Sequence, residues 1–267
     1  MQHALYLAPF GELADPRVVA ELAIVAEEAG WDGFFLWDHV LRPPDDPAEI
    51  ADVWVTLAAV ATATRRMRLG PLVTPIVRRR PQKLAREVVT LDRLSSGRLV
   101  LGLGLGVDSG GELSRFGEVV DARTRGDVLD EGAGLLAALL SGERVDHHGD
   151  HFTVDGVTML PTAEQSPRVP MWFAARGDAR RPVRRAARYD GLFPIEVDAD
   201  GLARMLDIVV AERGDLDGFD VAVRDDEITD LAAAEALGAT WSVWSFLPDD
   251  PAASIERAIG RGPGARG

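Results

Sequence analysis

The chain has 267 residues, 46% of them apolar, enough for a large buried core and close to the ~250 residues typical of an eight-fold α/β barrel. It has no cysteine, which excludes disulfides and thiolate chemistry, and the absence of any apolar run of 18 residues argues against a membrane-spanning helix. A net charge of −14 argues against nucleic acid or anionic lipid as a partner, and with a start (MQHALYLAPFG) that lacks signal-peptide features it sets the expectation of a mature, cytoplasmic protein.

His3–Ala8 reads as the first strand. Asp15-Pro16 then forms an N-cap and first-turn pair for a helix whose apolar stripe runs from Val18 to Ala29. Gly33–Trp37 is the second strand, ending in Asp38-His39, and a Pro/Asp-rich loop leads to a helix near Val53–Thr64. The stretch from Met67 to Gly111 carries a strand–helix–strand unit. An apolar run breaks at Pro75, Leu84, Val88, Leu91 and Leu94 make a helical stripe, and Arg98–Leu103 runs into a glycine-rich loop. Both strands are continuously apolar, as parallel strands buried on two faces are. A short amphipathic piece at Glu112–Phe116 precedes a helix over Arg123–Leu140.

An excursion follows at residues 143–168, including a hairpin built from Val145–Gly149 and His151–Val154. Pro170–Ala174, Gly191–Ile195, Phe219–Val223 and Thr240–Phe246 are strands five to eight. Their helices are a basic one through Tyr189, then Leu202–Arg213, Asp226–Leu237 and a last one opened by Asp250-Pro251. This alternation predicts a single-domain α/β fold, a (β/α)₈ TIM barrel with the hairpin excursion inserted between helix four and strand five and a frayed tail at 261–267. A dinucleotide fold is disfavoured, because Gly104, Gly106 and Ser109 lack the last glycine of G-x-G-x-x-G.

A barrel gathers strand C-termini at one mouth. Phe10, Asp38, His39, Thr74, Gly104–Asp108, Arg176, Gly177, Glu196, Arg224, Asp225 and Trp244–Phe246 would meet there. Such a mouth suits a planar ring cofactor better than a metal. His39 is the first candidate for catalysis, since imidazole exchanges protons near neutral pH; a histidine bonded to loop backbone is the equal alternative. The glycines at 102, 104 and 106 either let backbone approach a phosphate or pack tightly between strands. Arg176-Gly177 is a second anion candidate, opposed by Asp178. Arg78-Arg79-Arg80 reads as a solvated helix entrance before an anion site, and His147, His148 and His151 lack the acidic shell a metal would need.

These residues together carry a resemblance. Asp38-His39, the Met67–Pro81 stretch, Thr90–Arg98 (TLDRLSSGR), the Leu-Gly repeat at 101–106, Phe116-Gly117, Arg184–Phe193 (RRAARYDGLF) and Gly238–Trp241 resemble the luciferase-like family of flavin-dependent oxidoreductases over nearly the whole chain. The resemblance implies FMN or, in some members, the deazaflavin coenzyme F420, with the ring in the mouth and its phosphate near the ends of strands four and five. It implies catalysis by His39 and a non-prolyl cis peptide at Leu72–Val73 supporting the ring. Cofactor binding would fall to Asp38, Leu72, Val73, Thr74, Gly104, Gly106, Ala175, Arg176 and Gly177, with no metal.

Four positions depart from the family pattern. Leu105 stands where luciferases carry a phosphate-binding arginine, Val107 where deazaflavin sugar-phosphate dehydrogenases carry a glutamate, and Ala174-Ala175 where Gly-Gly is frequent. The activity expected is therefore a monooxygenase using reduced FMN and oxygen on a small apolar substrate, with a separate flavin reductase and a homodimer as possible partners. The alternatives are a deazaflavin-dependent hydride-transfer enzyme and a non-catalytic flavin-binding protein or inert subunit of a heteromeric oxidase.

Overall fold

A computed structural model describes residues 1–108 and 110–264 of the chain. Eight parallel strand positions form a ring in the order of the chain, and eight α-helices surround it among the described residues. The strands are β1 (Gln2–Leu7), β2 (Gly33–Leu36), β3 (Arg68–Pro71) with its continuation β4 (Thr74–Pro75), and β5 (Leu101–Gly104). After a separate antiparallel hairpin, β6 (Arg144–His148) and β7 (Thr153–Thr158), come β8 (Met171–Arg176), β9 (Gly191–Ile195), β10 (Asp220–Arg224) and β11 (Trp241–Ser245). β11 pairs with β1, β3 pairs with β2, and β4 pairs with β5, so the broken third strand joins both ends of the sheet. The peptide bond in the break, Leu72–Val73, is cis.

Alternation along each strand divides the core in two. Ala4, Tyr6, Phe35, Leu72, Val100, Trp172, Phe193 and Trp241 fill the barrel interior. Leu5, Leu7, Phe34, Leu36, Leu69, Leu103 and Phe173 point outward into the helix layer. Gly70, Gly102 and Gly104 lie where the third strand and β5 approach closely; a Cβ on Gly104 would run into the Val73 side chain. These glycines at 102 and 104 answer to strand packing.

The helices are α1 (Pro16–Glu28), α2 (Val53–Ala63), α3 (Pro81–Leu94), α4 (Ala122–Leu140), α5 (Arg180–Ala186), α6 (Ala199–Arg213), α7 (Leu231–Leu237) and α8 (Ala252–Ile259). Asp15, Asp52, Asp121, Asp198 and Asp230 each accept a backbone N–H at a helix start. The Asp230 cap explains why α7 begins at Leu231 and not at Asp226: residues 226 and 227 are drawn onto the Arg224 guanidinium. The basic α5 likewise stops at Ala186, short of Tyr189, whose N–H already turns back to the Ala186 carbonyl. The expected short amphipathic piece at Glu112–Phe116 takes the form of a single 3₁₀ turn at Ser114–Phe116.

Two buried charges tie the base of the barrel together. Glu27 accepts the backbone N–H groups of Arg65, Arg66 and Met67 at 2.6–3.0 Å. Arg98 donates to the carbonyls of Ala61, Thr64, Met67 and Ser95. The expected frayed tail falls partly outside the description, which ends at residue 264; Gly262 still donates to the Ile259 carbonyl. No helix among the described residues is long and apolar enough to cross a membrane.

Candidate functional site

The C-terminal ends of the strands open on a cavity of about 300 Å³. Leu72, Val73, Pro75, Leu105, Val107, Ala174 and Ile195 make its apolar walls, and Tyr6, Asp38, His39, Glu112 and Arg176 supply the polar groups. The loops that carry these residues are locked to each other by charge.

Asp38 follows β2 with its side chain 2% exposed. Its carboxylate accepts from Thr74 Oγ1 at 2.7 Å and Arg79 Nη2 at 2.9 Å, and its carbonyl accepts from Arg78 Nη2 at 2.6 Å. Arg78 also reaches Glu112, its Nη1 lying 3.8 Å from Oε1. The run Arg78-Arg79 is therefore not the solvated helix entrance its sequence suggests: the two side chains are 8% and 17% exposed because each has a buried carboxylate to neutralise. Only Arg80 of the three is exposed.

Glu112 comes from the loop after β5. Asp108 shapes that loop by accepting the N–H groups of Leu113 and Ser114 at 2.8 and 3.0 Å. Ser109 lies outside the described residues. Glu112 Oε1 accepts Val40 N–H at 2.6 Å and Leu41 N–H at 3.2 Å, and Oε2 lies 2.8 Å from His39 Nδ1. Burial pushes the Glu112 carboxyl up, but the His39 hydrogen bond and charge, the Val40 N–H and Arg78 outweigh it and leave its pKa below the ordinary value. An ionised carboxylate can only accept, so it makes Nδ1 the donor and leaves Nε2 of a neutral imidazole with its lone pair. Phe10 packs edge-on against the His39 ring at 5.8 Å, and Trp37 lies 5.7 Å from it. The arrangement can take a proton at one fixed nitrogen beside an apolar wall.

Of the residues expected from the sequence, His39, Asp38, Leu72, Val73, Gly104, Gly106 and Arg176 line this cavity. Thr74, Ala175 and Gly177 do not. Thr74 is fully buried and bonded to Asp38, while its neighbours Val73 and Pro75 face the cavity. Strand alternation turns Ala175 outward into the helix layer, and Ala174 lines the cavity instead. Gly177 donates its N–H to the Ile195 carbonyl at 3.0 Å and lines a neighbouring groove beside α5 and α6. Trp244 and Phe246 were expected at the mouth, but they stack on each other and Trp244 packs against Trp31. Alternation again decides, because Val243 is the inward neighbour.

Arg176 ion-pairs with Glu196 at 2.9 Å. Glu196 adopts a left-handed backbone, φ +57°, at the end of β9. His147 and His148 pair with Glu131 and Asp155, and no group of three or more His, Cys, Asp or Glu among the described residues could hold a metal ion. Two polar residues of the cavity escape sequence reasoning. Tyr6 was legible from the period of two that puts it on Ala4's face; nothing in spacing links Glu112 to a histidine 73 residues away.

Comparison with known proteins then places the chain. The sequence model of the luciferase-like monooxygenase family matches residues 3–256. An F420-dependent glucose-6-phosphate dehydrogenase of Nakamurella multipartita is 33% identical over 165 residues, 61% of this chain and 48% of its own. One of Rhodococcus hoagii is 33% identical over 191 residues, 70% and 54%. The chain thus spans about half the length of the curated relatives it matches. Among solved structures, an F420-dependent secondary alcohol dehydrogenase in complex with an F420-acetone adduct aligns over 100% of this chain and 99% of its own, with TM-score 0.82 and 18% identity. The monooxygenase RslO1 of Streptomyces bottropensis aligns over 97% and 96%, with TM-score 0.77 and 19% identity. At such identities these two similarities concern the fold.

Proposed function

Because the chain belongs to the luciferase-like monooxygenase family of oxidoreductases, we propose that it is a deazaflavin-dependent enzyme that moves a hydride between its coenzyme and a small neutral alcohol or carbonyl compound. The observation that carries this reading is the 33% identity to relatives named for F420. Monooxygenase structures, one of them in complex with FMN, are resembled only at 17–19% identity, which speaks to fold and not to coenzyme. The hydride-transfer alternative therefore takes precedence over the monooxygenase expected from the sequence.

The residues fit the ring of such a coenzyme by their chemistry. Val73, Leu105, Ala174 and Ile195 offer apolar surface to a planar group, and His39 Nε2 beside them has no hydrogen-bond partner among the described residues. Arg176 is the guanidinium on the cavity wall that could hold a phosphate, and it would have to leave Glu196 to do so. When bound, the coenzyme supplies the hydride acceptor. His39 Nε2 takes the hydroxyl proton as the carbonyl forms, Glu112 stabilises the resulting imidazolium through Nδ1–H, and Arg78 and Asp38 hold both loops in place. The apolar walls keep water from competing. Leu105 and Val107 give a sugar phosphate no counter-charge, which favours a neutral substrate over that of the named relatives.

The test is anaerobic incubation of the protein with oxidised deazaflavin coenzyme and a panel of small alcohols. Coenzyme reduction is expected, with His39→Asn lowering kcat by about 10²–10⁴. Substrate-dependent oxygen consumption with reduced FMN, and an inert deazaflavin, would replace this reading by the monooxygenase.

A further inference from the structure

One polar side chain in the cavity takes no part in the reaction above. Tyr6 lies in β1, faces the barrel interior and lines the cavity while 8% exposed. Its ring packs edge-on against Phe193 at 5.6 Å and tilted against Trp37 at 5.4 Å. Its hydroxyl has no hydrogen-bond partner among the described residues. Burial pushes its pKa well above the ordinary tyrosine value, so the phenol keeps its proton and can donate.

Its neighbours repeat the pattern. Ser245 is the register partner of Tyr6 on β11, and its buried Oγ is unpaired; so is Trp37 Nε1 on the opposite flank. Protein interiors pair nearly all such groups, so these two buried unpaired atoms flanking Tyr6 mark a place finished by something other than protein. Of the three residues, Tyr6 is the one that reaches the cavity. The surroundings select against an anion there. Arg224 is held by two carboxylates, Asp226 at 2.6 Å and Glu227 at 3.0 Å, so it offers an anion no free positive charge. His39 sits at the rim with its side chain 29% exposed, whereas Tyr6 belongs to the interior cluster, so the two are at different depths.

We propose that Tyr6 is a specificity-determining residue whose hydroxyl donates to a second, neutral oxygen of the substrate. Preferred substrates then carry two oxygens: a hydroxyl or carbonyl that reacts beside His39, and a hydroxyl, carbonyl or ether oxygen deeper in the barrel. The inference rests on the hydride-transfer reading for its first oxygen and on Tyr6 alone for its second.

The experiment compares propylene glycol with isopropanol, which lacks the second oxygen, for wild type and Tyr6→Phe. With wild type, kcat/KM should favour the diol by about tenfold, and Tyr6→Phe should bring the ratio near one, chiefly through the diol's KM. Saturation-transfer NMR of propylene glycol on the coenzyme-free protein supplies a readout apart from turnover, and Tyr6→Phe should weaken that binding to a similar degree. If neither alcohol reduces the coenzyme while the binding difference persists, the hydride-transfer reading fails and the role of Tyr6 in binding stands. If Tyr6→Phe leaves both the ratio and the binding unchanged, the assignment of Tyr6 is overturned and the hydride-transfer reading survives it.

Discussion

Replacing Glu112 by glutamine removes one charge and keeps the shape, and its consequences follow atom by atom. The retained carbonyl oxygen still accepts from Val40 and Leu41, as Oε1 does now. The new amide nitrogen takes the place of Oε2 and presents hydrogens to His39 Nδ1. The imidazole can satisfy them only by moving its own proton to Nε2, the nitrogen that accepts the substrate's in the proposed reaction. The fold should lose little, about 1–2 kcal/mol, mostly from the 3.8 Å attraction to Arg78. Catalysis should lose the general-base contribution, about 10²–10⁴ in kcat. Glu112→Ala behaves differently, because it also orphans the Val40 and Leu41 backbone donors while Arg78 keeps Asp38; a loss of about 2–4 kcal/mol is expected. The assay is coenzyme reduction under substrate saturation, with urea unfolding as the stability control. A glutamine variant that keeps kcat within about threefold of wild type would refute the tautomer argument outright.

Other outcomes follow from the same contacts. Asp38→Ala leaves Arg78 and Arg79 with only their longer carboxylate contacts, to Glu112 at 3.8 Å and Glu87 at 3.5 Å, and should destabilise by about 2–3 kcal/mol in urea unfolding, although Asp38 transfers no proton in the proposed reaction. Gly104→Val forces a branched side chain into Val73, so it should abolish coenzyme binding in a fluorescence titration and cost about 1–3 kcal/mol in unfolding free energy. For Glu27, burial raises the carboxyl but the three backbone N–H groups and Arg66 prevail, and its folded pKa lies below the ordinary 4.5. Its contribution is complete above about pH 4.5 and is lost as pH falls through the lower folded value; unfolding free energies at about pH 5 and pH 3 should differ less in Glu27→Gln than in wild type.

The barrel was legible because its signals are local. Asp-Pro and lone Asp caps, glycines after helices and continuous apolar strands mark repeated units, and their number and length suit a closed ring better than an open sheet. The broken third strand was legible only through the family resemblance, since Pro71 and Pro75 mark a disturbance without saying which bond it affects. Within the site, His39 and the glycines could be read because they end strands. Glu112 could not, because its partner is brought to it by a loop that Asp108 and Glu112 themselves organise. Ala175, Thr74 and Trp244 were misplaced for one reason: a strand's final residues alternate faces, and only the register decides which of two neighbours looks into the barrel. Arg78 and Arg79 show the limit of reading charge from composition, because a basic run beside two buried carboxylates is structure and not surface.

The central claim is that this mouth binds a deazaflavin and not FMN. An equilibrium titration of the full chain with each oxidised coenzyme, followed by tryptophan fluorescence, tests it most directly. The account predicts micromolar binding of the deazaflavin and at least about tenfold weaker binding of FMN, a difference of roughly 1.4 kcal/mol. Tighter binding of FMN, or no binding of either, would contradict it.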